Sequence, residues 1–331
     1  MARVAGRPAA TRSGASPLWG LLVLVALAGA CAQPASDPLR LGTVMWPGHE
    51  PLFLARARGS LPDSQVRLVE YSSLSEVNRA FRNGALDAAG VTLDMALALA
   101  QQGFEPRVVL VLNVSAGADA IVARPGLGGV RALEGKRVGV EESGVSAFVL
   151  GRALEKAGLA VSQIHLVWTP VEQQARAYRE GALDAVVGFE PIISQLEAQG
   201  AQRIFDSSQL PGEVLDVLVV RRAYLEAHRG EVAALLDAWF AAARTVEARP
   251  RAASLELSGR LGMTPEDFLR VSTQMQFPSR EQNLALLGGE HPRILPTAHA
   301  IFRVLQRLEL VRGSWPEGPL LDARPLREQR P

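Results

Sequence analysis

The sequence predicts an α/β protein of two similar, doubly wound lobes that face a common cleft. Three observations predict it: a segment that recurs at a fixed offset, strands alternating with helices inside each copy, and a mostly helical remainder after the second copy. Arg79-Ala80-Phe81-Arg82-Asn83-Gly84-Ala85-Leu86-Asp87-Ala88 reappears as Arg176-Ala177-Tyr178-Arg179-Glu180-Gly181-Ala182-Leu183-Asp184-Ala185, an offset of 97 residues. At the same offset Arg40-Leu41-Gly42 meets Arg137-Val138-Gly139, and Tyr71 meets Trp168. Self-similarity held over about fifty residues marks a duplicated structural unit.

Each copy reads as the same run of elements. A short apolar strand opens it, 39–45 in the first copy and 137–141 in the second. A turn and a helix follow, ending near Gly59 and Gly158, and a second strand covers 65–71 and 164–168. Ser73-Leu74-Ser75-Glu76 and Thr169-Pro170-Val171-Glu172 fit the capping box that starts a helix, and Gly84 and Gly181 stop those helices. The third strands, 85–91 and 182–189, are almost continuously apolar, as a strand buried on both faces must be. Strands alternating with helices imply right-handed βαβ units and mostly parallel sheets. Segments 108–114, 119–124 and 214–221 are also strand-like, the last two read as the crossings between lobes. From Ala223 to about Val311 the pattern is helical, with a helix start at Thr264-Pro265-Glu266-Asp267, and the proline- and charge-rich tail after Gly313 reads as draped or disordered. The expected division is 39–123 plus 213–312 for lobe 1, 124–212 for lobe 2 and 313–331 for the tail.

The first thirty residues differ from the rest. Arg3, Arg7 and Arg12 precede an uncharged apolar run, Leu18 to Ala30, which is shorter than the ~20 residues needed to span a bilayer. This is the form of a secretory signal peptide. Ala28-Gly29-Ala30-Cys31 resembles a bacterial lipobox, with its leucine one place early at Leu27. Cys31 is the only cysteine, so an intrachain disulfide is impossible and lipidation is the expected use, with 31–38 as the acylated residue and tether. Without residues 1–30 the chain has 32 basic and 34 acidic residues, which gives no electrostatic footprint for nucleic acid.

In open α/β sheets ligands bind beyond the carboxyl ends of the strands. That rule selects Trp46, Gly48, His49 and Glu50 after one strand and Thr92 and Asp94 after another, then Glu141, Glu142, Ser143, Phe189 and Glu190 in the second copy. Trp46, in a Trp-Pro-Gly turn, suits ligand stacking, while Asp94, Ser143 and Ser146 fit helix caps and cleft groups alike. Glu190 before Pro191 is costly to bury unpaired and is expected to face the cleft. Asp119 and Asp216 sit in the presumed crossings, where they pair with backbone or reach a ligand. The five histidines show no metal-binding spacing, and no GxSxG elbow, P-loop or cysteine nucleophile is present, so no enzyme, metal or cofactor is expected.

Trp46-Pro47-Gly48-His49-Glu50-Pro51-Leu52, the paired GALDA segments, Gly117 to Val122, Leu133-Glu134-Gly135-Lys136-Arg137-Val138-Gly139 and Gly188-Phe189-Glu190-Pro191 together resemble the substrate-binding proteins of ABC importers, in the group that takes nitrate, sulfonates, taurine and thiamine-pyrimidine precursors. The likeness covers about residues 39–312. It implies a type II periplasmic-binding-protein fold, closing by hinge motion, and a monomer, lipid-anchored in the cell envelope, that delivers its ligand to an inner-membrane permease. Anion sites use Arg, Lys or helix N-termini. The strand-end set here holds carboxylates and no Arg or Lys, so a neutral or cationic nitrogen heterocycle, aminopyrimidine-like, is expected between Trp46 and Phe189. Alternatives are a sulfonate- or nitrate-type anion, a ligand-sensing lipoprotein, and a pyrimidine-synthesising enzyme of similar fold.

Overall fold

The computed structural model describes residues 37–141 and 144–328, with Met1, Ala2 and Gly6. Apart from those three residues the expected signal segment, with Cys31, nearly all of the tether, Glu142 and Ser143, lies outside the described residues.

The first copy folds as β1 (Leu39–Val44), α1 (Glu50–Ala57), β2 (Val66–Tyr71), α2 (Leu74–Arg82) and β3 (Ala88–Thr92). It continues through α3 (Leu93–Gln101) and β4 (Pro106–Ser115) to β5 (Asp119–Ala123). The second copy is β6 (Arg137–Val140), α4 (Val145–Ala157), β7 (His165–Trp168), α5 (Val171–Arg179) and β8 (Ala185–Phe189). It is followed by α6 (Ile192–Ala198), β9 (Gln202–Asp206) and β10 (Leu215–Arg221). The remainder is α7 (Arg222–Ala227), α8 (Arg229–Ala248), α9 (Pro250–Leu257), α10 (Pro265–Ser272), a two-residue β11 (Met275–Gln276), α11 (Arg280–Leu287), α12 (Leu295–Arg307) and α13 (Arg324–Arg327).

Two sheets result, ordered β11-β4-β10-β3-β1-β2 and β7-β6-β8-β5-β9. Among the described strands, the parallel pairs lie within the copies: β1 pairs with β2 and β3, and β6 with β7 and β8. Here the structure corrects the sequence reading, which made the sheets mostly parallel and placed 119–124 and 214–221 in the crossings. β10 lies antiparallel between β3 and β4, and β5 antiparallel between β8 and β9 in the second sheet. The crossings are instead 116–118 and 207–214. Both strands are buried along nearly their whole length, and an apolar strand buried on both faces belongs inside a sheet, where its backbone groups are paired.

The residues that repeat in sequence make the same contacts twice. Arg40 at the start of β1 grips Asp87 with its backbone N–H at 3.0 Å, Nε at 2.8 Å and Nη2 at 2.7 Å. Arg137 does the same to Asp184 at 2.9, 3.0 and 2.8 Å. These bidentate, charge-assisted pairs join the first strand to the turn before the third. Gly42 and Gly139 lie under Leu86 and Leu183: a Cβ there would come within 2.4 and 2.5 Å of the leucine methyls. The antiparallel strands complete the correspondence. Arg221 covers the Phe81 ring at 4.4 Å and donates to Leu86 O, while Arg124, following β5, covers Tyr178 at 4.7 Å and donates to Leu183 O.

The helix starts are less uniform. Ser73 caps α2 by accepting from the Glu76 N–H at 3.2 Å, and Thr264 caps α10 from Asp267 at 3.1 Å. Thr169 caps nothing; α5 starts at Val171, and the Thr169 hydroxyl donates to Val167 O. The tail is draped and ordered. Val108 and Asp322 exchange backbone bonds with Leu320 and Val108 at 2.8 and 2.9 Å, and Leu320, Ala323 and Leu326 are buried. Three apolar side chains in a polar stretch are enough to dock it. Among the described residues no helix is long and apolar enough to cross a membrane.

Candidate binding site

The crossings put one carboxylate at the entrance to each sheet. Asp119 opens β5 and Asp216 is the second residue of β10. Around them the two lobes are tied: Ser115 Oγ meets Ser207 Oγ at 2.8 Å, and Ser207 Oγ accepts from the Gly117 N–H at 2.7 Å. Ser115 ends β4 and Ser207 opens the second crossing, so this pair ties the two crossings together close to Asp119 and Asp216.

Trp46, His49, Thr92, Asp119, Phe189 and Asp216, with Val44, Leu74 and Val145, line one cavity between the sheets. It is small: the space open to the centre of a water molecule is about 20 Å³, room for one such centre. No lysine or arginine is among the lining residues. Asp94, in the first turn of α3 and 6% exposed, lies beside it.

Burial and mutual repulsion govern the titration of this set. Burial pushes Asp216 up to about 8, with the charges of Asp119 and Asp94 adding to the shift; the Asn113 amide, donating to Oδ2 at 2.8 Å, opposes it. The Trp46 indole N–H also faces Asp216 without completing a hydrogen bond. Burial raises Asp119 to about 7, aided by Asp94 and Glu190, and raises Asp94 to about 6 against its contact with the Thr92 hydroxyl, which falls short of a full hydrogen bond, and its bonds to the helix N-terminus. His49 is 1% exposed and pushed down to about 3 by burial, so it is neutral. Its Nδ1 meets Thr43 Oγ1 at 2.9 Å and its Nε2 points to Asp216 at 3.7 Å. The pocket therefore has a surplus of carboxylate and no fixed cation to neutralise it, which is costly in a low-dielectric interior.

The remaining residues selected from sequence go elsewhere. Glu50 is buried against Arg260 Nε at 3.2 Å. Glu190, expected to face the cleft, is fully buried: its Oε2 takes the Ser194 N–H and hydroxyl at 3.1 and 2.6 Å, and its Oε1 lies 3.6 Å from Arg203. It lies just before α6 and takes partners from that helix and from Arg203, which offset part of the burial penalty that seemed to require the cleft, though burial still raises its pKa. Glu141, at the end of β6, crosses between lobes to accept from the Ser75 hydroxyl at 2.6 Å and N–H at 3.3 Å in the first turn of α2. Gly48 lets the backbone pass between Trp46 and Asn113; a Cβ there would meet their side chains at 2.2 and 2.3 Å. Trp46 and Phe189 meet edge to face with centroids 5.8 Å apart, so the two rings contact one another and are not parallel plates.

Asn113 and Ser75 were missed by sequence reasoning. Asn113 had a signal: it is an amide inside the apolar run of β4, and a polar group buried there must find partners. Ser75 had none, since its partner lies 66 residues away.

A second, larger chamber of about 400 Å³ adjoins the cavity and shares Val44 and Phe189 with it. Its other walls include Met45, Glu70, Tyr71, Val171, Glu172 and Ile192. Glu70 is paired with Arg260.

A profile of the NMT1-like family matches residues 32–257, over two thirds of the chain. The chain belongs to the NMT1-like family. No curated protein sequence matches it. Solved structures similar to this NMT1-like chain include the alkanesulfonate-binding protein SsuA from Xanthomonas axonopodis pv. citri bound to MOPS, with TM-score 0.74 and 19% identity over 88% of this chain and 99% of that one. The periplasmic nitrate-binding protein NrtA from Synechocystis PCC 6803 gives 0.64 and 15% over 83% and 90%. The desulfurization enzyme DszB gives 0.61 and 16% over 88% and 97%. The NMT1-like chain thus has the periplasmic-binding-protein fold, a fold used by binding proteins and by at least one enzyme. Fold alone does not choose among these activities.

Proposed function

We propose that this chain is an extracytoplasmic solute-binding protein, anchored through lipidated Cys31, that closes two lobes on a cationic nitrogen compound and passes it to an ABC permease. The observation that carries the reading is the placement of Asp119 and Asp216, backed by Asp94, on a cavity that no lysine or arginine lines. An anion entering this cavity meets like charge; a cation offsets the repulsion among its carboxylates. Membership of the NMT1-like family and the likeness to alkanesulfonate- and nitrate-binding proteins support the solute-binding role. The ligand chemistry proposed departs from the names those proteins carry. An aminopyrimidine-type compound meets the requirement, its N–H groups donating to the carboxylates and its ring lying against Phe189. The single histidine of the cavity is neutral and held by Thr43, which favours binding over acid–base chemistry.

The test is calorimetry at pH 8 with an aminomethylpyrimidine, nitrate and ethanesulfonate. The expected result is binding of the pyrimidine alone; binding of the anions alone defeats the proposal. Metabolic labelling with palmitate, compared between the native chain and Cys31→Ser, tests the anchor.

A further inference from the structure

The two chambers between the lobes differ in size and lining, and the difference constrains the ligand beyond its charge. The inner cavity has room for one water-sized group, whereas the outer one, about 400 Å³, takes a ring or a short chain. Val44 and Phe189 line both. A single ammonium group is close to water in size and carries three N–H donors. The inner walls offer three acceptors to match: the carboxylates of Asp119 and Asp216 and the hydroxyl oxygen of Thr92, which is 3% exposed and has no full hydrogen-bond partner.

We propose that the ligand is a primary amine whose –NH₃⁺ group alone enters the inner cavity, to be held by Asp119, Asp216 and Thr92, while its body stays beyond Phe189 in the outer chamber. The assignment rests on the cationic reading above and narrows it. A quaternary ammonium adds three methyl groups and offers no N–H, so it fails on size and on hydrogen bonding. An alcohol of the same shape fits but brings no charge. The outer chamber is apolar along Met45, Val171 and Ile192, with the rings of Tyr71 and Phe189 available to cover an apolar or aromatic body.

Calorimetry on the full chain at pH 8 with benzylamine, benzyl alcohol and benzyltrimethylammonium separates these cases. The expected result is benzylamine binding at least tenfold tighter than either of the others, with Thr92→Val weakening benzylamine severalfold and leaving the melting temperature of the free protein within a degree or two. Equal binding of benzyltrimethylammonium and benzylamine overturns the primary-ammonium assignment and leaves the cationic reading standing. Equal binding of benzyl alcohol, or no binding of benzylamine, overturns it too. If in addition nitrate or ethanesulfonate binds, the cationic reading falls with it.

Discussion

Asp216→Asn tests the electrostatics of the cavity directly, because it removes a charge and keeps the shape. The folded protein holds Asp216 protonated up to about 8, whereas an unfolded chain ionises it near the ordinary aspartate value, ~3.9. A carboxyl whose folded pKa is raised keeps extra protons in the folded state throughout that window, so stability falls as pH rises from about 4 towards 8. At about 1.4 kcal/mol per unit the full span amounts to ~4–5 kcal/mol by pH 7.5. Sharing of protons with Asp119 and Asp94 reduces what one substitution recovers, leaving about 2–4 kcal/mol. Asparagine can still accept from the Asn113 amide, which now donates at 2.8 Å. Asp216→Asn is therefore expected to raise the melting temperature of the ligand-free protein at pH 7.5 by roughly 5–10 °C and to leave it nearly unchanged at pH 4, where both side chains are neutral. Scanning calorimetry and urea titration at both pH values read this out. An equal shift at the two pH values, or a loss of stability at pH 7.5, refutes the argument, because it means the carboxylate carries no burial penalty in the folded protein.

The same protons predict how binding responds to pH. An amine is expected to bind more tightly as pH rises from 5.5 to 8 and to release protons from Asp119 and Asp216, seen as a binding enthalpy that changes with buffer ionisation; proton uptake contradicts this. Glu141→Gln weakens the charge-assisted bond to Ser75 that joins the lobes, so ligand affinity should drop by about 1–2 kcal/mol, with a larger radius of gyration in solution scattering; an unchanged radius and affinity excludes a closing role. Gly42→Ala and Gly139→Ala each drive a methyl into a leucine, Leu86 or Leu183, and should destabilise by ~1–3 kcal/mol in urea unfolding. Adding Leu86→Ala to Gly42→Ala should recover part of that loss, and failure to recover places the strain in the backbone.

The sequence by itself determined the duplication and, with it, most of the fold. Arg40, Gly42, Leu86 and Asp87 recur at one spacing as Arg137, Gly139, Leu183 and Asp184 because a first strand, a tight leucine contact and an arginine-gripped turn are local to each βαβ unit, and local constraints are written in local order. The strand-end rule also picked out Trp46, His49, Thr92 and Phe189, which line one cavity, since it depends only on strand direction. Tertiary structure alone decided which carboxylates share the cavity. Glu50, Glu141 and Glu190 read as cleft acids until Arg260, Ser75 and Ser194 with Arg203 reached them from other elements. Asp119 and Asp216 read as residues of the crossings, pairing with backbone or reaching a ligand, until antiparallel pairing put β5 and β10 inside the sheets. The cost of burying a charge depends on what lies within a few ångströms of it, and local order does not give those neighbours: Ser75 is 66 residues from Glu141 and Arg260 is 210 from Glu50, while Ser194 is only four from Glu190.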